Sequence, residues 1–155
     1  MGDAQTNAVR FESPLLELHR QQCSARVTLP LRSDEDVVGL RKQVRERALA
    51  IALSLVDQTK LVTAASELAR NTIKYGGGGI VHLDDLNDGV RKGVGLVFVD
   101  DGPGIPDMSE ALRDGYTTGG GLGLGFGGSK RLVDEFDADS RVGEGTAVLA
   151  VKWKR

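Results

Sequence analysis

The apolar residues of the chain recur at two different spacings, one typical of helices and one of strands. Between Ser33 and Ile51 they return every three or four residues, which predicts an amphipathic helix that starts at a capping box of Ser33 and Asp36. A second stripe predicts a helix over about Val56–Tyr75, which the glycines at 76–79 end. Each helix is therefore expected to lay one side against a core.

Short apolar or alternating runs predict the strands. The first covers residues 26–31, and the runs 79–86 and 94–101 resemble a hairpin because a turn-rich segment joins them. A helix is expected over Ser129–Phe136, followed by a strand pair over 137–142 and 145–153 around the turn Gly143–Gly145. This order favours an antiparallel or mixed sheet covered by helices on one face, which is an α+β sandwich.

Residues 1–24 differ from the rest of the chain because they are mostly polar. Their apolar side chains cluster only at Leu15, Leu16 and Leu18, which suits a loosely held arm with room for one short helix. The domain proper is expected over residues 25–155.

Composition narrows the classes of partner. The 155 residues include 20 Lys and Arg against 22 Asp and Glu, a formal net charge of -2, so the balance favours neither nucleic acid nor an anionic membrane as a partner. The single cysteine, Cys23, cannot form an internal disulfide, and no apolar stretch reaches about 18 residues. We expect a reduced, cytoplasmic protein with a protein or small-molecule partner.

Glu67 and Asn71 are the first candidate site residues. They are four residues apart on a predicted helix, so their side chains stack on one face beside the apolar stripe. A carboxylate there can act as a general base, and an amide oxygen can complete the shell of Mg²⁺. Two solvated surface residues would show the same spacing.

Asp100 is the second candidate, because it ends an apolar strand just before a sharp turn. A carboxylate in this position can accept a hydrogen bond from the exocyclic amine of adenine. Gly102 and Gly104 shape the turn, and Gly104 would let a base approach the backbone. An acidic boundary between a strand and a turn is the simpler alternative.

The third candidate is a loop in which seven glycines fall between Gly119 and Gly128. Ordering so many glycines is costly, which favours a mobile loop that closes on a ligand, and exposed amides before a helix suit phosphate. A plain linker is the alternative. The dinucleotide fingerprint fails because no apolar strand precedes the loop, the P-loop fails because Ser129 and Lys130 are in reversed order, and the eukaryotic kinase motifs are missing.

Taken together, these segments resemble the motifs of the GHKL, or Bergerat-fold, ATPases, which include gyrase B, Hsp90, MutL and histidine-kinase catalytic domains. Glu67 and Asn71 resemble the N box, and Asp100–Gly104 resembles the D-x-G-x-G box. Residues 121–125 resemble the second glycine box, and residues 143–146 resemble the terminal G-x-G-T motif.

The resemblance implies a two-layer α/β sandwich with a mixed sheet, and it implies ATP and Mg²⁺ as cofactors. Glu67 would be the catalytic base and Asn71 the residue that holds Mg²⁺, while Asp100 would bind adenine with help from Thr146. The implied nucleotide-binding residues are Asn71, Asp100, Gly102, Gly104, Ile105, Thr118, Gly119, Gly120, Gly121, Leu122, Gly123, Leu124, Gly125 and Thr146.

A narrower resemblance covers about residues 26–155. The segments ELARN, DDGPGIPD, GYTTGGGLGLG and KRLVDEF are similar to those of the RsbT-type switch serine/threonine kinases. This implies phosphorylation of a serine or threonine on a STAS-domain antagonist protein. After release, such a kinase activates a downstream phosphatase or other signalling protein.

Two other functions fit the same motifs. An anti-sigma factor would bind and inhibit a sigma subunit while phosphorylating its antagonist, and a non-catalytic module would use ATP only to set the conformation of the loop. A histidine-kinase catalytic domain fits less well, because the roughly 25 residues before the first strand are too few for a helical hairpin that carries a phosphoacceptor histidine.

Overall fold

A computed structural model describes residues 13–104 and 125–155. Within these ranges the chain forms four helices and five strands. In chain order they are α1 (Pro14–Gln22), β1 (Cys23–Leu31), α2 (Asp34–Ala50), α3 (Leu55–Gly76), β2 (Gly79–Asn87), β3 (Lys92–Asp100), α4 (Gly125–Arg131), β4 (Glu135–Arg141) and β5 (Gly145–Trp153).

The five strands form one sheet in the order β1-β2-β3-β5-β4. Every neighbouring pair is antiparallel, so the strands that the structure describes contain no parallel pair of the kind that a mixed sheet requires. The predicted hairpin is β2–β3, in which Ile80 pairs with Val99. Pro30 lies in the edge strand β1, where the missing amide hydrogen is tolerated.

Helices α2 and α3 cover one face of the sheet. Their buried side chains, such as Leu40 and Leu68, pack against Leu83 and Phe98 of the strands. Ser54 caps α3 by accepting a hydrogen bond from the amide of Asp57 at 3.1 Å. The helix ends at Gly76, and left-handed Gly77 follows (φ 75°), so the predicted glycine stop at 76–79 is confirmed.

The opposite face is also covered, because α1 packs on it. Leu16 contacts a cluster that includes Val97, Leu149 and Trp153. Helices therefore lie on both faces, whereas the sequence predicted them on one. The physical reason is visible in β5, where every residue is buried, since a strand that is apolar on both sides needs two covers.

A buried polar contact fixes α1 in place. His19 Nε2 lies 2.5 Å from Asp84 Oδ2, and Arg26 donates to both oxygens of the same carboxylate at 2.8 and 2.9 Å. Burial alone would raise the pKa of Asp84, but the hydrogen bonds from His19 and Arg26 hold it below its ordinary value. The His19 ring occupies the space beside Gly95, which a Cβ would fill.

The segment after α4 differs from the prediction. A helix was expected over Ser129–Phe136, but α4 ends at Arg131 and β4 begins at Glu135. The amide of Asp134 donates to Val151 O at 2.8 Å, and its carboxylate accepts from the amide of Trp153 at 2.7 Å. Pairing with β5 thus supplies hydrogen bonds to the backbone in place of those that a longer helix would have made.

Candidate nucleotide site

Asp100 and Thr146, 46 positions apart in the sequence, lie side by side in the sheet. Gly79, Asp100, Thr146 and Ser140 are successive cross-strand partners on β2, β3, β5 and β4. Residues directly opposite each other share a face, and this row lies on the face covered by α2 and α3, because Phe98, two residues before Asp100, packs in their core. The structure thus brings together two of the residues that were predicted to contact the nucleotide.

The Asp100 carboxylate is half-buried and is held by backbone donors. Its Oδ1 accepts from the amide of Gly102 at 2.9 Å, and the backbone of Thr146 also hydrogen bonds to it. Burial raises the pKa of Asp100 above its ordinary value, although these two amide contacts act in the opposite direction. When ionised, the group can only accept hydrogen bonds, which suits an amine donor.

Three glycines pack closely around Asp100. A Cβ at Gly76 would overlap the Asp100 carboxyl group, and one at Gly145, which has a φ of 120°, would overlap the Asp100 carbonyl. At Gly102 a Cβ would lie 2.6 Å from the Cα of Gly76. The end of α3, the turn after β3 and the start of β5 can meet at Asp100 only because these positions lack side chains.

Gly76 was not among the predicted site residues. Its position after the apolar stripe of α3 was fully explained by a helix stop. The available signal was the length of the run at 76–79, which exceeds what a helix end requires.

Gly104, in contrast, packs closely against the backbone at the turn between β4 and β5. It has a φ of 80°, and a Cβ there would overlap the carbonyl of Arg141. Nearby, the amide of Gly143 donates to Pro103 O at 2.9 Å. A glycine at 104 therefore lets the β3 turn pack on the β4–β5 turn, and its predicted role in the approach of a base stays a prediction.

Glu67 and Asn71 lie one turn apart on α3, and both are half-buried beside the buried residues Leu68 and Thr72. They are therefore more enclosed than two solvated surface residues would be. The Glu67 carboxylate accepts from Arg70 Nη1 at 3.0 Å, a contact that spacing alone did not reveal. Asn71 precedes Gly76 by five residues, about 7.5 Å along the helix axis, so α3 connects this pair to the Asp100 region.

Several predicted residues lie outside the described part of the chain. These are Ile105, Thr118, Gly119, Gly120, Gly121, Leu122, Gly123 and Leu124. Gly125 is the first residue of α4, which packs against α3. The phosphate-binding role of the glycine loop therefore remains a prediction.

The described residues fit ATP and Mg²⁺ through their donor chemistry. The Asp100 carboxylate and the Thr146 hydroxyl, held in adjacent positions, are suited to the edge of an amino-substituted base. Across the described ranges, no cluster of three or more His, Cys, Asp or Glu side chains could hold a metal ion. Separately, the amide oxygen of Asn71 is of the ligand type that Mg²⁺ accepts alongside phosphate and water oxygens, and its role as the metal ligand stays a prediction.

Comparison with known proteins identifies the family. The model of the family described as "Histidine kinase-, DNA gyrase B-, and HSP90-like ATPase" matches residues 56–154. The chain belongs to this ATPase family. The matched range contains every predicted site residue, from Glu67 to Thr146.

Two curated relatives and one solved structure narrow the comparison. The chain is 44% identical over 120 residues to the serine/threonine-protein kinase RsbT of Bacillus subtilis, which covers 77% of this chain and 90% of RsbT. It is 36% identical over 104 residues to the anti-sigma F factor of Geobacillus stearothermophilus, 62% of this chain and 69% of that protein. The crystal structure of RsbU and RsbW domains from Mycobacterium tuberculosis aligns with a TM-score of 0.59 at 20% identity, over 85% of this chain and 33% of that one, which shows the fold alone.

These findings confirm the GHKL and RsbT-type resemblance, the α+β fold and the prediction of an ATP-dependent protein serine/threonine kinase. None of the helices in residues 13–104 and 125–155 is long and apolar enough to cross a bilayer.

Proposed function

We propose that this protein is the serine/threonine kinase of a partner-switching pathway. It transfers the γ-phosphate of ATP to a serine or threonine of a STAS-domain antagonist protein. After release, it activates a downstream phosphatase or other signalling protein. The observation that supports this most directly is the pairing of Asp100 with Thr146 beside the helix that carries Glu67 and Asn71, in a chain 44% identical to RsbT.

In this proposal the end of β3 and the start of β5 bind the base. Asp100 accepts a hydrogen bond from the exocyclic amine of adenine, and Thr146 assists from the adjacent strand. The carboxylate is already oriented by the amide of Gly102, so little conformational freedom has to be lost on binding. Gly76 and Gly145 keep the carboxylate in this place by leaving room for it.

The other end of the proposed site binds the phosphates. Bound ATP would supply the phosphoryl group, and Mg²⁺ would neutralise its charge. Asn71 offers an amide oxygen to the metal, and the glycine-rich segment 121–125 covers the phosphates with backbone amides. Because ATP is the donor, the proposed location is the cytoplasm.

Glu67 is the proposed general base. Its carboxylate accepts the proton of the incoming hydroxyl group, and a base in this role contributes about 10²–10⁴-fold to the rate. Arg70 contacts the same carboxylate at 3.0 Å and so limits its rotamers. Most of the rate enhancement is assigned to positioning and to charge neutralisation.

The test is phosphoryl transfer to a candidate substrate. The full chain is incubated with Mg²⁺ and γ-labelled ATP together with STAS-domain proteins encoded near its gene, and the labelled residue is identified by mass spectrometry. We expect label on one serine or threonine, and loss of label with Asp100→Asn. Nucleotide binding without transfer to any such protein would instead favour the non-catalytic module.

The similarity to an anti-sigma F factor favours a second candidate, an anti-sigma factor with the same kinase activity. A pull-down with the purified chain separates the two functions. A retained sigma factor, released when the STAS protein is added, would favour the anti-sigma function. Retention of a phosphatase or another signalling protein would favour the first.

A further inference from the structure

Ser140 extends the row formed by Asp100 and Thr146 by one strand. It lies on β4 directly opposite Thr146, as Thr146 lies opposite Asp100. The three side chains therefore share one face of the sheet. No motif pointed to Ser140.

Two hydrogen bonds connect Ser140 to the start of β5. Its hydroxyl donates to the carbonyl of Gly145 at 3.1 Å and lies 2.7 Å from the hydroxyl oxygen of Thr146. Thr146 is only 6% exposed, so its hydroxyl needs a partner within the protein. Ser140 provides that partner from a half-buried position.

The hydrogens of the two hydroxyl groups allow two arrangements of the Ser140–Thr146 pair. Each hydroxyl has one hydrogen and can also accept. While Ser140 donates to the carbonyl of Gly145, the hydrogen between the two hydroxyls comes from Thr146. When the Ser140 hydroxyl rotates and donates to Thr146 instead, the hydrogen of Thr146 becomes available to a ligand. Ser140 can thus pair with Thr146 in either role.

This exchange matters because Asp100, when ionised, can only accept. The edge of adenine presents an amine donor next to a ring nitrogen that accepts. Asp100 suits the first group, and the second requires a donor. Thr146 can donate to the ring nitrogen and still keep its hydrogen bond to Ser140 only when Ser140 is the donor between the two hydroxyls.

We propose that Ser140 is a positioning residue for base recognition: it holds the hydroxyl of Thr146 beside Asp100 and allows that hydroxyl to donate to the ring nitrogen. This inference rests on the proposed function, since it assumes that adenine binds at Asp100. Ser140 acts through Thr146, and its contribution is expected to be that of one neutral hydrogen bond.

The test measures nucleotide affinity by titration calorimetry, with a non-hydrolysable ATP analogue and Mg²⁺. Ser140→Ala is expected to weaken binding about 3- to 10-fold, and Ser140→Thr, which keeps the hydroxyl, is expected to bind like the wild type. Ser24→Ala is the matched control: Ser24 also donates to a carbonyl at 3.1 Å, but from β1 at the opposite edge of the sheet. Thermal unfolding without nucleotide establishes that each variant is folded.

Two further measurements separate positioning from a structural effect. With Thr146→Ala, the added Ser140→Ala change is expected to cause no further loss of affinity. With a 1-deaza analogue, which has a C–H group in place of the ring nitrogen, Ser140→Ala is expected to cost nothing.

The outcomes are distinguishable. The inference would be overturned if the losses of nucleotide affinity caused by Ser140→Ala and Thr146→Ala multiplied in the double variant. It would also be overturned if Ser140→Ala weakened binding of the 1-deaza analogue as much as it weakens binding of the ATP analogue. A Ser140→Ala protein that binds ATP as tightly as the wild type would overturn it as well, and in that case the proposed function would stand. A wild-type chain that binds no ATP would overturn both.

Discussion

Replacing Gly76 with alanine should displace the Asp100 carboxylate while leaving the fold intact. Gly76 is the last residue of α3, where alanine is well tolerated by the helix. Its new Cβ would overlap Cγ of Asp100 and would lie 2.6 Å from Oδ2. Ordinary van der Waals contact begins near 3.4 Å, so the carboxylate oxygen must move by about 0.8 Å.

A movement of this size is enough to lose a directed hydrogen bond. The bond from adenine to an ionised carboxylate is charge-assisted, and such bonds contribute about 1.5–3 kcal/mol. Its loss corresponds to about 10- to 150-fold weaker binding of ATP. The bond from the amide of Gly102 to Asp100 is expected to lengthen with the same movement.

Calorimetric titration with ATP analogues measures this loss, and circular dichroism establishes that the variant is folded. Gly39→Ala is the control, because Gly39 lies inside α2 and a Cβ there meets nothing within 4 Å. It should raise the free energy of unfolding by about 0.5–1 kcal/mol and leave ATP affinity unchanged. A folded Gly76→Ala protein with the affinity of the wild type would refute this reasoning.

Three further predictions concern the proposed catalytic pair and the second face of the sheet. Glu67→Gln should lower the rate of phosphoryl transfer about 10²–10⁴-fold at unchanged ATP affinity, because only the proton acceptor is lost. Asn71→Ala should abolish Mg-ATP-dependent transfer to the cognate STAS protein, as measured with labelled ATP. Burial, together with the charge of Arg26, lowers the pKa of His82 from 6.5 to about 4. Between pH 6.5 and about pH 4, His82 therefore binds more protons in the unfolded chain than in the folded protein. The free energy of unfolding falls as the pH is lowered through this range, and the loss between pH 8 and pH 5 is about 2 kcal/mol. Urea unfolding of His82→Leu should lack this component.

Each of these predictions has a contradicting result. Transfer by Glu67→Gln at the wild-type rate would remove the base assignment, and unchanged transfer by Asn71→Ala would remove the metal role. Identical pH dependence in the wild type and His82→Leu would show that His82 does not titrate in this range.

The sequence predicted the elements with the strongest local signals. The β2–β3 hairpin follows from two apolar runs around a polar turn, and the end of α3 follows from its glycines. The packing of α1 could not be predicted in this way, because nine residues with few apolar side chains carry little periodic signal. The end of α4 was also missed, since pairing with β5 is a long-range interaction that local propensity does not contain.

The site was predictable as a set of motifs but not as an arrangement. Asp100 and Thr146 were named from separate segments, and only the register of β3 with β5 shows that they are neighbours. The role of Ser140 could not be predicted from the sequence, because a serine on an edge strand is common and its partner is set by the register of β4. Gly76 was not predicted as a site residue because its role as a helix stop already explained it, although it also contacts Asp100.

The docking of α1 on the sheet bears on how the protein can be shortened. A recombinant fragment that begins at Ala25 would lose Leu16 and His19, the side chains that cover Val97, Trp153 and the buried carboxylate of Asp84. Such a fragment would present an apolar surface to water with a charged group within it, and surfaces of this kind promote self-association. Solubility, rather than nucleotide chemistry, is therefore the property most exposed to truncation at the amino-terminal end.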